Sequence, residues 1–166
     1  MAFVVEDGTG KIDSNSYGSV ADSDIYFNDR GNAEWAALST QQKQQNLVKA
    51  TDYIDLVYGS RFIGYKATDE QALQWPRIDA EGYASNEIPI DLEKATFEYA
   101  LRSSVNVLIP DGFSGAAIKK EKVGPIETEY DTSRGSTLTA IIPYPGADLY
   151  LYNLVAYIDY GNRVIR

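Results

Sequence analysis

The chain has 166 residues, the length of one ordinary domain, and its 15 Lys and Arg against 24 Asp and Glu leave a formal net charge of −9. So acidic a chain is a poor candidate for duplex DNA or an anionic membrane, both of which need basic groups facing phosphate. With 0 Cys and 0 His there is no disulfide framework, zinc ribbon, thiol nucleophile or Ser–His–Asp arrangement. No apolar run approaches the ~20 residues of a membrane helix, and residues 1–6 are too short for a signal peptide. The expectation is a soluble intracellular protein without catalysis.

Residues 3–5 suit a short strand that Gly8, Thr9 and Gly10 break. Ser19 reads as the N-cap of a helix over 20–30, with Gly31 just past its end. Ser39-Thr40-Gln41-Gln42 matches a capping box, and Leu47, Ala50, Tyr53, Ile54 and Val57 then recur at helical spacing up to Gly59. Between 60 and 87 the periodicity weakens, and two turn-rich stretches, 61–68 and 76–86, flank a short helix at 69–74. After Ile88-Pro89 comes a helix with two apolar rows. One is Leu92, Thr96, Tyr99 and Ser103; the other, which reads as the stronger, is Phe97, Leu101, Val105 and Leu108. Pro110-Asp111-Gly112 ends it.

The β-formers on either side of Gly124-Pro125 predict two short strands or a hairpin arm within 117–131, its faces alternating in charge. Residues 132–139 read as a mobile loop and 147–158 as a final helix with Leu151, Leu154, Val155 and Ile158 as its stripe; 159–166 form a tail. The expected fold is mainly α: about four helices in a small bundle, with a short β-hairpin arm at about 118–131 before the C-terminal helix. A single domain, 1–158, would hold the arm and the loop. Its core would include Leu47, Tyr53, Ile54, Val57, Trp75, Phe97, Leu101 and Leu154, with Trp75 as a plug over the helices.

Motifs with chemical content are few. Gly8-Thr9-Gly10-Lys11 resembles the end of a phosphate loop, but Val5 stands where the first Gly belongs and Ile12 where Ser or Thr should bind magnesium. The turn reading is preferred. Asp22 and Asp24 lack the following Gly and Glu of a calcium loop and read as acids complementing a helix start. Asp52 and Asp55, three apart, would either hold a divalent ion or form the solvated edge of their helix, and the edge is preferred. No cofactor and no metal is expected. Lys119, Lys120 and Lys122 with Tyr130 nearby are the best local case for single-stranded nucleic acid, by charge and stacking, although Glu121, Glu127, Glu129 and Asp131 share the same arm.

Six stretches in order carry a resemblance. They run Ser16-Tyr17-Gly18-Ser19-Val20-Ala21-Asp22-Ser23-Asp24-Ile25-Tyr26-Phe27, Arg30-Gly31-Asn32-Ala33-Glu34-Trp35 and Lys49-Ala50-Thr51-Asp52-Tyr53-Ile54-Asp55. Then come Gln71-Ala72-Leu73-Gln74-Trp75-Pro76-Arg77, Ile88-Pro89 ahead of Ala95, and Glu121-Lys122-Val123-Gly124-Pro125-Ile126-Glu127. Together, over 16–131, the chain resembles the head–tail adaptor (head completion, connector) proteins of long-tailed phages, a subset of which is labelled DnaT-like single-stranded-DNA-binding protein.

The resemblance implies a homo-oligomeric ring, dodecameric, beneath the portal protein, located in the virion neck. Such a ring extends the DNA channel and presents its lower face to the next neck or tail protein, with DNA passing through unbound and no membrane involved. It also implies a portal interface in the C-terminal region, at Tyr157, Asp159, Tyr160, Asn162, Arg163, Val164, Ile165 and Arg166. The β arm, with Lys119, Lys120, Lys122, Glu127, Glu129 and Tyr130, would serve the ring or its lumen. The alternative is a single-stranded-DNA-binding accessory protein.

Overall fold

The structure is a computed structural model that describes residues 2–109, 120–123, 126–129 and 143–156, the two central stretches by their backbone. It is mainly helical, with a two-stranded antiparallel hairpin late in the chain. Helix α1 (Val20–Asn28) starts where the Ser19 side chain accepts from the Asp22 N–H, and α2 (Ala33–Ala36) starts on the Asn32 side chain. The second of these short helices has no periodic signal to announce it. Helix α3 (Thr40–Tyr58) opens on a complete capping box, Ser39 with Gln42, as its sequence predicts. The helix ends at Tyr58 with Gly59 as its C-cap, where the sequence places the stop, and a 3-10 turn, Gly59–Arg61, follows.

The short helix expected at 69–74 is absent. Its backbone groups are engaged elsewhere: the Ala72 N–H reaches Lys11 O at 2.9 Å, and the Gln74 N–H reaches Asp55 Oδ2 at 3.0 Å. The Gln71 side chain, buried, binds the carbonyls of Leu73 and Pro76 and the N–H of Thr68, replacing the i to i+4 ladder of a helix. Two two-residue strands frame this region, β1 (Tyr65–Lys66) and β2 (Arg77–Ile78), antiparallel. Gly64 makes that approach possible: its φ is +70°, and a Cβ there would lie 2.3 Å from Ile78 O. The N-terminal strand reduces to one bridge, Val5 with Ser16.

Helix α4 (Ile90–Val105) packs antiparallel on α3, with Ser103 against Asn46 and the rings of Tyr53 and Tyr99 4.7 Å apart. Its buried row is Leu92, Thr96 and Tyr99, joined by Phe97, while Val105 is 66 % exposed and the helix ends there, ahead of Pro110. The Phe97–Val105 row is therefore the weaker of the two: Phe97 is buried, Leu101 only partly, and Val105 faces solvent. Of the expected core, Leu47, Tyr53, Ile54, Trp75, Phe97 and Leu154 are buried, and Val57 and Leu101 pack partly buried against them.

Strands β3 (Lys120–Val123) and β4 (Ile126–Glu129) form the arm. The last helix is shorter than its stripe predicts. Helix α5 (Pro145–Leu151) passes into a 3-10 turn, Tyr152–Leu154, and Val155 then bridges to Phe62 in extended form. The Ile63 N–H donates to Leu154 O, and the Ala156 N–H to Arg61 O at 2.7 Å, so the end of the described chain is tied to the exit of α3. Ile158, the loop 132–139 and the tail 159–166 lie outside the described residues.

Candidate assembly and nucleic-acid interface

The arm's register sets Lys120 opposite Glu129, Glu121 opposite Thr128, Lys122 opposite Glu127 and Val123 opposite Ile126. Each described basic position of the arm therefore faces an acidic one across the ladder. Lys119 and Tyr130 lie outside the described residues, as do the tail positions Tyr157, Asp159, Tyr160, Asn162, Arg163, Val164, Ile165 and Arg166.

The glycine loop at 8–11 does form an anion cradle, and the chain fills it itself. Glu6, 2 % exposed, accepts from the N–H groups of Gly8 (3.0 Å), Gly10 (2.9 Å) and Lys11 (2.9 Å) and from Ser14 Oγ. A carboxylate thus sits where a phosphate would have to bind. Asp24 is likewise engaged, by the Trp35 indole N–H and the Lys43 ammonium, both at 2.8 Å.

Asp55 departs from its expected place on a solvated edge. Its carboxylate takes one hydrogen bond from the Tyr17 hydroxyl and another from the Gln74 N–H, fastening α3 to the loop before β2, while Asp52 is exposed. Burial pushes the Asp55 carboxyl up to about 6, against the pull of those hydrogen bonds. Burial, with Asp22 nearby, also carries Glu93 up to about 7.

The sequence reading missed a set of carboxylates held by tyrosines. Asp148 accepts from the hydroxyls of Tyr58 and Tyr99 and, through its other oxygen, from the Tyr144 N–H at 2.8 Å. Glu98 accepts from Tyr26 at 2.7 Å and Tyr144 at 3.3 Å, and the Tyr150 hydroxyl lies 3.4 Å from that of Tyr26. Burial and the adjacent carboxylates push the Tyr26, Tyr58 and Tyr99 hydroxyls far above the ordinary tyrosine range, so they remain donors.

Cations lie on the outer faces of the same rings. The Arg30 guanidinium is 3.5 Å from the Tyr26 centroid, Arg102 is 4.6 Å from Tyr144, and the Lys94 ammonium is 5.7 Å from Tyr150. Two sequence signals pointed here: the 13 tyrosines, and the spacing of Lys94, Glu98 and Arg102 one helical turn apart along α4. A separate apolar groove of about 560 Å³ lies between α3 and residues 103–109, lined by Leu56, Val105 and Val107 among others.

Against known families, one model matches residues 1–166, that of the family described as "Putative DnaT-like ssDNA binding protein". The chain belongs to this family. No curated protein and no solved structure matches it. No helix of the described residues is long and apolar enough to cross a membrane.

Proposed function

We propose that this member of the DnaT-like family is a structural head–tail adaptor: a ring, dodecameric by the resemblance, under a phage portal. The ring extends the DNA channel and docks the next neck component. The observation that carries the reading is the charge arrangement. The chain carries −9, and the arm, its richest run of lysines, sets Lys120 and Lys122 opposite Glu129 and Glu127. A wall past which DNA slides repels phosphate, and a dozen acidic copies make a negative collar. Repulsion between neighbours must then be offset by local pairing and by Tyr-rich contacts. In this reading the C-terminal residues, Tyr157 to Arg166, meet the portal.

The second reading, a single-stranded-DNA-binding protein, is favoured by the family's description and by the cations stacked on Tyr26, Tyr144 and Tyr150. Imaging purified protein mixed with portal rings of the same phage separates the two. An added collar with ring symmetry is the expected result, and removal of 159–166 should abolish it while helical content is retained. Bare portals, together with oligonucleotide affinity that falls steeply with salt, would establish the second reading instead.

A further inference from the structure

We propose that the cation–tyrosine stripe around Glu98 is one half of a head-to-tail contact between copies of this chain, and that the other half is the acidic loop 69–87 of the next copy. The inference rests on the ring reading above and names the surfaces that would close the ring. On a chain this acidic, Arg30, Arg102 and Lys94 each lie over a tyrosine ring, of Tyr26, Tyr144 and Tyr150, and the hydroxyls of Tyr26 and Tyr144 both donate to one carboxylate, Glu98. Lys94 lies 3.5 Å from Asp91, whereas neither Arg30 nor Arg102 makes an ion pair with a described carboxylate. Elsewhere Lys11 pairs with Asp7, Lys43 with Asp24, and buried Arg77 binds the carbonyls of Phe62, Ile63 and Gly64, while exposed Lys49 lies over no described tyrosine ring. Arg30 is anchored to its ring's own residue by a 2.9 Å bond to the Tyr26 carbonyl.

The two arginines are also held ready. Stacked on tyrosines whose hydroxyls are anchored, they have less rotamer freedom to lose on binding, and each guanidinium fork suits a carboxylate.

The complementary surface is the connection between α3 and α4. Asp69, Glu70, Asp79, Glu81 and Glu87 are all exposed there, and none of the three cations of this connection pairs with them. Arg61 lies over the Tyr58 ring and donates to Val57 O. Lys66 donates to Gln71 O, and Arg77 is buried. No hydrogen bond or ion pair among the described residues joins this loop to the stripe. One molecule thus presents two different, oppositely charged patches, the requirement for a heterologous contact that closes into a ring.

The test is sedimentation of the full chain over a concentration series, at low salt and at about 1 M salt, where screening acts within about 3 Å. Two charge-reversed variants are compared, Arg30→Glu with Arg102→Glu, and Asp79→Lys with Glu81→Lys, each checked for helical content. Expected are salt-sensitive self-association of the parent, weakening by about tenfold or more in either variant, and recovery when the two variants are mixed. Parent-like association of either variant overturns the contact, as does a parent that stays monomeric at low salt. So does a loss of binding to a labelled single-stranded oligonucleotide by the arginine variant with association unchanged, which would make the stripe a nucleic-acid surface. Collars formed on portals by the arginine variant would leave the ring reading standing and this contact refuted.

Discussion

Tyr99 on α4 and Asp148 on α5, 49 residues apart in sequence, are joined hydroxyl to carboxylate, and the same carboxylate oxygen accepts from Tyr58 on α3. Three helices therefore meet at one acid. The other oxygen of Asp148 caps the start of its own helix through the Tyr144 N–H. This node, together with the fully buried Ala147 and Leu151, fixes a seven-residue helix against the bundle.

Removing the acceptor should accordingly destabilise the whole domain. Asp148→Ala removes the carboxylate from the hydroxyls of Tyr58 and of Tyr99, the latter a residue 1 % exposed. The two hydroxyls, 3.3 Å apart, are left with one donor short of an acceptor, and the Tyr144 N–H at the start of α5 is freed. The expected loss is about 2–4 kcal/mol, since a buried donor left without a partner costs about 1–3 kcal/mol by itself. Asp148→Asn keeps one acceptor oxygen and should lose about half as much. Urea midpoints of the two variants decide it; a loss under about 1 kcal/mol for Asp148→Ala would mean that solvent satisfies the tyrosines.

Stability should fall as pH rises from about 4 to about 7. Burial lifts Asp55 from 3.8 to about 6 and Glu93 from 4.5 to about 7. Across this window the folded state holds protons that the unfolded chain has released, so unfolding becomes easier as pH increases. The stabilisation is fully present below the unfolded values and is gone above about 7. Glu93→Gln removes one of the two titrations. Its advantage over the parent at pH 8 should be on the order of 1 kcal/mol, after allowing for partial solvent screening. Denaturation at pH 5 and pH 8 tests this, and an equal pH response in parent and variant would refute it.

The loop at 8–14 depends on a single side chain. With Glu6→Ala, the N–H groups of Gly8, Gly10 and Lys11 lose their acceptor together. Their amide exchange should accelerate at least tenfold while that of α3 and α4 is unchanged, because the cradle opens locally. Unaltered protection at these three amides would show that the loop is held by Ser14 and the backbone instead. Glu6→Gln retains one acceptor oxygen and should fall between the two.

The helices were legible where chemistry and period agree. Ser19 and Ser39 announce helix starts because a hydroxyl at that position satisfies a free N–H, and Leu47 to Val57 name the buried side of α3. The arm was legible from its β-formers. The stretch between α3 and α4 was not, since its order comes from long-range bonds such as Asp55 to Gln74 that no local pattern records. The end of α5 was misjudged for a related reason: Leu154 continues the apolar stripe, yet the backbone there pairs with Ile63. The tyrosine–carboxylate nodes assemble from α1, α3, α4 and α5, so spacing within any one helix shows only fragments of them.

In the arm, Lys122 stands opposite Glu127. Lys122→Glu places like charges at directly opposed positions, which in a two-stranded ribbon is unfavourable by about 0.5–1 kcal/mol. With only four residues in each strand, a ribbon of this size has little stability of its own to absorb the change. Amide protection across 120–129 should therefore fall in Lys122→Glu and return when Glu127→Lys is added, the ladder having regained an opposed pair of unlike charges. Portal-bound collars should follow the same order, formed by the parent and the double variant and diminished in the single one. Collars from Lys122→Glu equal to the parent's, with the ribbon amides unprotected, would mean that the arm's pairing has no part in the ring.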